Sequence, residues 1–254
     1  MTTSGDTRTS SGVWSRLCKL RRALSGPWEG VVALLFSPVC VSCGRDLPEL
    51  GILCAPCAAE LAELQGARCE VCGEDLDDPL LDLCKPCGTR ERGFDRIVAL
   101  GPYGGIWGVL VRALKFDRER AVARWLSGRL AALATHPELI RDVDLVTYVP
   151  MAANERRARG FNQSEVLARG VARRLGRPMR QTLKKVRRTR AQAALPAARR
   201  RDNLRDAFRA IRSEGARVLL VDDICTTGST AEECARELRR AGFTSVSVLV
   251  VARA

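Results

Sequence analysis

Beyond residue 93 the apolar positions fall into two alternating spacings. Residues 96–100, 145–149, 217–221 and 245–251 are short runs dominated by Val, Leu and Ile, and each reads as a strand. Between them, residues 105–115, 121–134, 163–175 and 229–241 follow helical spacing. Trp125, Leu126, Leu130 and Leu133 share one helix face, as do Val166, Leu167, Val171 and Leu175, and Gly242 closes the last helix. Strands that are apolar throughout and separated by helices predict an α/β domain, a parallel sheet flanked by helices on both faces. Ligands of such sheets bind at the carboxyl ends of the strands.

Residues 38–92 carry a different pattern. Of eleven cysteines, Cys18, Cys225 and Cys234 stand alone, and eight form four C-x-x-C pairs: Cys40/Cys43, Cys54/Cys57, Cys69/Cys72 and Cys84/Cys87. The first and third pairs align in an internal repeat, C-V-S-C-G-R-D-L with C-E-V-C-G-E-D-L, and each unit closes L-C-x-P-C. Gly44 and Gly73 supply the permissive backbone that a tight thiolate-binding turn needs. Two such turns can bring four thiolates into a tetrahedron around Zn²⁺, and closed four-cysteine sites of this kind are structural. Zinc is favoured over iron–sulfur or redox-active thiols. One zinc per repeat is the simplest pairing, and a cross-braced arrangement is the alternative. So short a segment buries little core, so the metal itself would hold it folded.

The net charge of +13 is concentrated: between residues 156 and 217, 20 Lys/Arg face 4 Asp/Glu. A block of this kind suits a polyanionic ligand, nucleic acid or diphosphate, or else forms a solvated helix face. No apolar run approaches the ~20 residues that cross a bilayer, so no membrane insertion is expected. The run at residues 31–36 is too short for a signal-peptide core, and a cytoplasmic location is expected. The expected division is a disordered N-terminus with a short helix (1–37), a cysteine-rich zinc module (38–92) and the α/β domain (93–254).

One stretch carries the chemistry, V-L-L-V-D-D-I-C-T-T-G-S-T at residues 218–230. A buried strand runs into two acids, then a Thr/Gly/Ser loop, then a helix. Backbone N–H groups of Thr226, Thr227, Gly228, Ser229 and Thr230, at a new helix N-terminus, suit a phosphate dianion. Gly228 permits close approach, and the hydroxyls add donors. Asp222 and Asp223 are suited instead to accept hydrogen bonds from vicinal ribose hydroxyls. No G-x-x-x-x-G-K-[ST] occurs, which excludes a Walker-type site.

This stretch resembles the signature of the type I phosphoribosyltransferases, which bind phosphoribosyl pyrophosphate (PRPP). The block R-G-F-N-Q at 159–163, preceded by Val149-Pro150, resembles that of the ComF family, as do Thr189, Gln192, Arg200, Asn203, Ala207 and Phe208. That family joins a cysteine zinc module to a phosphoribosyltransferase domain and is linked with DNA uptake in competent bacteria. Ala152, Ala153 and Asn154 depart from the polar or basic residues usual there, and Cys225 stands where Val or Thr is commoner. A buried, inert thiol is the simpler reading of Cys225.

The resemblance implies a catalytic role for Asp222 and Asp223 and contact of Arg156, Arg157 and Arg159 with pyrophosphate. It also implies a flap over residues 184–201 bearing Lys185, Arg187 and Arg188, and a Mg²⁺-assisted displacement of pyrophosphate. No segment identifies the acceptor. Two functions remain open, a transferase or a non-catalytic module that senses PRPP or holds single-stranded DNA for DNA-uptake or repair proteins. The basic block supports DNA contact, while the scarcity of aromatics argues against a stacking platform.

Overall fold

The structure, a computed structural model, describes residues 38–48, 51–61, 66–116, 120–137, 140, 142–187 and 204–254. Expectations placed on residues 1–37, on Arg188 and on Thr189, Gln192, Arg200 and Asn203 lie outside them. The chain separates into two compact units, Met1–Cys54 and Ala55–Ala254.

In the first unit, Cys40 N donates to Arg45 O at 2.7 Å and Gly44 N to Cys40 O at 2.9 Å. Gly44 sits at φ 76°, the left-handed region such a turn requires. In the second unit the same turn recurs: Cys69 N donates to Glu74 O and Gly73 N to Cys69 O, both at 2.8 Å, with Gly73 at φ 68°. The repeat in the sequence is thus a repeat of backbone conformation. Two short helices, α1 (Ala55–Ala59) and α2 (Lys85–Thr89), carry Cys57 and Cys87.

The remainder of the second unit is built on a four-stranded sheet. β1 (Arg96–Pro102), β2 (Leu145–Tyr148), β5 (Arg217–Cys225) and β6 (Ser245–Arg253) lie in the order β1-β6-β5-β2, all parallel. Val218, Leu220, Val246, Val248 and Val250 pack into one core cluster with Ala231, Cys234, Ala235 and Leu238 of α7 (Ser229–Arg240). The intervening Leu219, Val221, Leu249 and Val251 are equally buried, so both faces are covered, as the uninterrupted apolar runs demand.

Among the described residues, the remaining helices are α3 (Gly105–Phe116), α4 (Arg120–Ala134), α5 (Ala153–Arg159) and α6 (Gln163–Leu175). α4 buries Val122, Leu126, Leu130 and Ala134, while Trp125 and Leu133 are only half-buried at its flank. In α6 the buried stripe is Gln163, Ser164, Leu167, Ala168, Val171 and Ala172, with Val166 and Leu175 at its edge. Small and polar residues let this helix lie close to the sheet, which apolar spacing alone did not reveal.

The sheet strands also outrun their apolar stretches. β5 continues through Asp222 and Asp223 to Cys225, because β6 supplies ladder partners as far as Ala252 and Arg253. The partner strand overrides the low strand propensity of Asp. The hairpin β3 (Leu183–Lys185) and β4 (Phe208–Ala210), antiparallel, has strands too short to leave a period in the sequence.

Candidate functional site

Asp222 and Asp223 stand at the carboxyl end of β5, and a cleft of about 500 Å³ opens over them. Its walls include Tyr103, Lys115, Val149 and the loop residues Thr226, Gly228, Ser229 and Thr230. Gly228, at φ 71°, caps α7. Thr227 Oγ1 lies 2.8 Å from Ser229 Oγ, and Ser229 N donates to Thr227 Oγ1 at 3.4 Å, so the two hydroxyls are organised around the helix N-terminus. The loop at the start of α7 and the acid pair therefore line one cleft.

The acids are held by three side chains from other elements. Ser164 Oγ donates to Asp222 Oδ1 at 2.7 Å, and Gln163 Nε2 donates to Asp223 Oδ2 at 3.4 Å. Lys115, at the end of α3, places Nζ 2.7 Å from Asp223 Oδ2. The R-G-F-N-Q block explains this placement. Gly160, at φ 82°, ends α5 and Asn162 starts α6, its Oδ1 accepting from Ser164 N at 3.0 Å. Asn162 Nδ2 also donates to Val149 O at 3.0 Å, tying the helix start to the segment after β2. Arg159 Nη1 donates to Gln163 Oε1 at 2.8 Å and turns the amide N–H toward Asp223.

Asp222 is half-buried, and desolvation first, then the charge of Asp223, pushes its carboxyl up to about 8 despite the Ser164 hydrogen bond. The Asp222 carboxyl therefore keeps its proton to a higher pH than a free carboxylate does. A ligand offering hydroxyl donors or a cation would displace it.

The cysteines form two groups. In the first unit the Sγ atoms of Cys40, Cys43 and Cys54 lie within 4.8 Å of one another, and in the second so do those of Cys69, Cys72, Cys84 and Cys87. Cys43 Sγ to Cys54 Sγ and Cys72 Sγ to Cys84 Sγ are each 3.6 Å. A tetrahedron with bonds of about 2.3 Å has edges of about 3.8 Å, so both groups fit zinc, and the pairing is sequential rather than cross-braced. Burial alone would raise the Cys40 thiol, but backbone hydrogen bonds from Cys43, Cys54 and Ser42 hold it down at about 6. Burial pushes Cys72 well above the usual thiol range, so its ionisation needs a cation beside it.

A double zinc ribbon family model matches residues 31–88, and a phosphoribosyl transferase domain model matches residues 162–254. DNA utilization protein YhgH of Salmonella typhimurium is 32% identical over 206 residues, 79% of this chain and 90% of that protein. Competence protein F of Haemophilus influenzae is 32% identical over 213 residues, 80% of this chain and 90% of that protein. The chain belongs to the ComF family. Among solved structures, the allosteric regulatory enzyme of purine biosynthesis is 26% identical across 55% of this chain and 30% of its own, with a TM-score of 0.37. The type I phosphoribosyltransferase-like fold of this ComF chain rests on its own parallel sheet and on the family model.

Other residues singled out in the ComF sequence are spread more widely. Lys185 lines a smaller cleft of about 150 Å³ that shares Val149, Asp222 and Thr230 with the acid pair, and its Nζ is 4.0 Å from Glu155 Oε2. Arg187 donates to Arg205 O at 2.6 Å. Arg156 pairs with Glu165 at 3.3 Å, Arg157 is exposed, and Arg159 serves Gln163; none of the three lines either cleft. Cys225 is buried and its thiol is pushed up to about 11 by that burial, which leaves it inert at neutral pH. Lys115, Gln163 and Ser164 were not anticipated as a set. The only available signal was the R-G-F-N-Q block itself, and for Lys115 there was none.

The paired tetrads lead to a direct expectation. The purified protein should contain two equivalents of zinc, and a chelator should unfold the ribbons before the sheet, because metal binding there is folding free energy. Elemental analysis yielding one equivalent would reject a metal at each tetrad.

Proposed function

We propose that the cleft over β5 binds PRPP with Mg²⁺ and recognises or transfers its phosphoribosyl group. The observation that carries this reading is the convergence of the residue 226–230 loop and the Asp222/Asp223 pair on one cleft. The loop suits the 5′-phosphate, and the two acids suit the ribose hydroxyls. In a transfer reaction the bond from C1 to pyrophosphate breaks as positive charge develops on the sugar. Asp222 and Asp223 would favour that charge electrostatically while anchoring the ring, with Lys115 in the same cleft and Lys185 in the adjoining one as lysines available to a departing diphosphate. Carboxylate oxygens beside a diphosphate are a hard donor set suited to Mg²⁺, which supplies neutralisation of the leaving group when bound. Residues 38–92 would serve as the zinc module and residues 93–254 as the PRPP-binding domain.

The names of the two relatives, a DNA utilization protein and a competence protein, support a role in the handling of incoming DNA. Among the described residues of the cleft, none is placed to take a proton from an acceptor except the acids themselves. That favours, as a second reading, a protein that senses PRPP while working with DNA. Calorimetry with PRPP and Mg²⁺ tests the shared core of both readings and should give micromolar binding. Pyrophosphate release in an acceptor screen then separates a transferase from a sensor. No binding at any Mg²⁺ concentration would reject both.

A further inference from the structure

The second zinc ribbon is joined to the phosphate loop by two arginines, and the arrangement has a consequence for ligand binding. Arg253 ends β6 and is almost wholly buried, with 6% of its surface exposed. On one side its Nε donates to Cys72 O at 3.2 Å and it is ion-paired with Glu74. On the other side its Nη1 donates to Cys225 O at 3.3 Å and to Thr226 O, where the loop begins. Arg92 repeats this on the helix side of the loop. Its Nε donates to Cys87 Sγ at 3.2 Å, and its Nη1 is 3.8 Å from Glu232 Oε2 in the first turn of α7. A backbone bond, Ile97 N to Val71 O at 2.8 Å, fixes the same ribbon to β1.

A buried guanidinium needs acceptors for its N–H groups, and leaving them unpaired is costly. Here the acceptors of Arg253 come from both partners, the knuckle of Cys72 and the start of the loop. Neither side is fully satisfied without the other. Four thiolates around one dication also carry two net negative charges, which Arg92 at Cys87 Sγ and Arg253 at the Cys72 carbonyl are placed to balance. We propose that Arg253 and Arg92 are positioning residues that couple metal occupancy of the Cys69, Cys72, Cys84 and Cys87 tetrad to phosphate binding at residues 226–230. The coupling rests on the reading of that loop as the phosphate site. It is reciprocal: a filled tetrad tightens ligand, and bound ligand tightens the metal.

The test uses the zinc-loaded full-length chain and ribose 5-phosphate, which occupies the loop without the metal-chelating diphosphate of PRPP. Zinc release to a chromophoric chelator should show two phases, assigned with Cys43→Ser, which lacks the first site. Saturating ribose 5-phosphate should slow the phase of the second tetrad about fivefold or more, the usual lower size of such coupling, and leave the other unchanged. Arg253→Met should keep two zincs, bind ribose 5-phosphate about tenfold more weakly, and lose the ligand's protection of the metal; Arg253→Lys should recover part of both. Arg92→Gln, at a residue outside the sheet, should shift both readouts in the same direction and serves if Arg253→Met fails to fold. Binding of ribose 5-phosphate with unchanged release of both zincs would overturn the coupling alone, as would normal affinity in Arg253→Met or, where that variant fails to fold, in Arg92→Gln. Absence of ribose 5-phosphate and PRPP binding to the parent protein would overturn the reading of the loop and the coupling with it.

Discussion

Asp222→Asn should weaken PRPP binding by about ten- to a hundredfold and at the same time make the fold harder to unfold at neutral pH. A hydrogen bond to a charged group is worth roughly 1.5–3 kcal/mol, which sets the size of the binding loss. The amide oxygen can still accept from Ser164 Oγ and Asp223 N, as Oδ1 of the parent does, so the local structure persists. The stability gain follows from proton linkage. Burial and the charge of Asp223 raise the folded carboxyl to about 8, against an ordinary value of 3.8. Between these two values the folded chain holds a proton that the unfolded chain has released, so the parent loses stability as pH rises through that window. An amide has no proton to lose. The Tm of the variant should therefore exceed that of the parent by a margin that grows from pH 5 and levels off above pH 8. PRPP binding near pH 7 should release up to about one proton in the parent, detectable by calorimetry in buffers of different ionisation enthalpy, and fewer in the variant. A margin that shrinks with pH, or full PRPP affinity in the Asp222→Asn, Asp223→Asn double variant, would sink this account of the acid pair.

Gly228→Val should abolish measurable PRPP binding, a loss of more than about a hundredfold, while the sheet stays folded. At φ 71° a side chain is strained by about 1–2 kcal/mol, and β-branching adds to this. The space around the new Cβ is not the obstacle, since its nearest neighbours, Ile97 Cδ1 and Cys225 Sγ, would be 3.8 and 4.0 Å away. Relief of the strain must come from the loop itself, which would rotate its amides away from a common focus. Affinity that survives in a folded variant, judged by unchanged zinc content and circular dichroism, would mean that residues 226–230 are not the phosphate cradle.

Both variants concern residues that were recognisable from the chain alone, because their meaning is local. A thiolate turn, a strand running into two acids and a glycine at a helix N-terminus are each specified within a few consecutive residues. Cys40, Cys43 and Gly44, or Asp222, Asp223 and Gly228, therefore announce their geometry before folding is considered. The alternation of apolar strands and helices is legible for a related reason. Burial on both faces of a parallel sheet demands continuous Val, Leu and Ile, and the runs at Val218–Val221 and Val246–Val251 could serve little else.

What the amino-acid order determined by itself is thus the repeat of cysteine turns, the class of sheet and the glycine-capped Thr/Gly/Ser loop before α7, all fixed by interactions between near neighbours in the chain. Tertiary structure decided what holds the acids and raised the carboxyl of Asp222. Lys115 reaches Asp223 from more than a hundred residues away, Gln163 and Ser164 arrive on a helix whose buried stripe is partly polar, and Arg253 links a zinc knuckle to the loop from the far end of the chain. Each is one ordinary residue in its own segment. It acquires a role only when burial removes water as its alternative partner, and the folded chain supplies the acceptors or donors that remain.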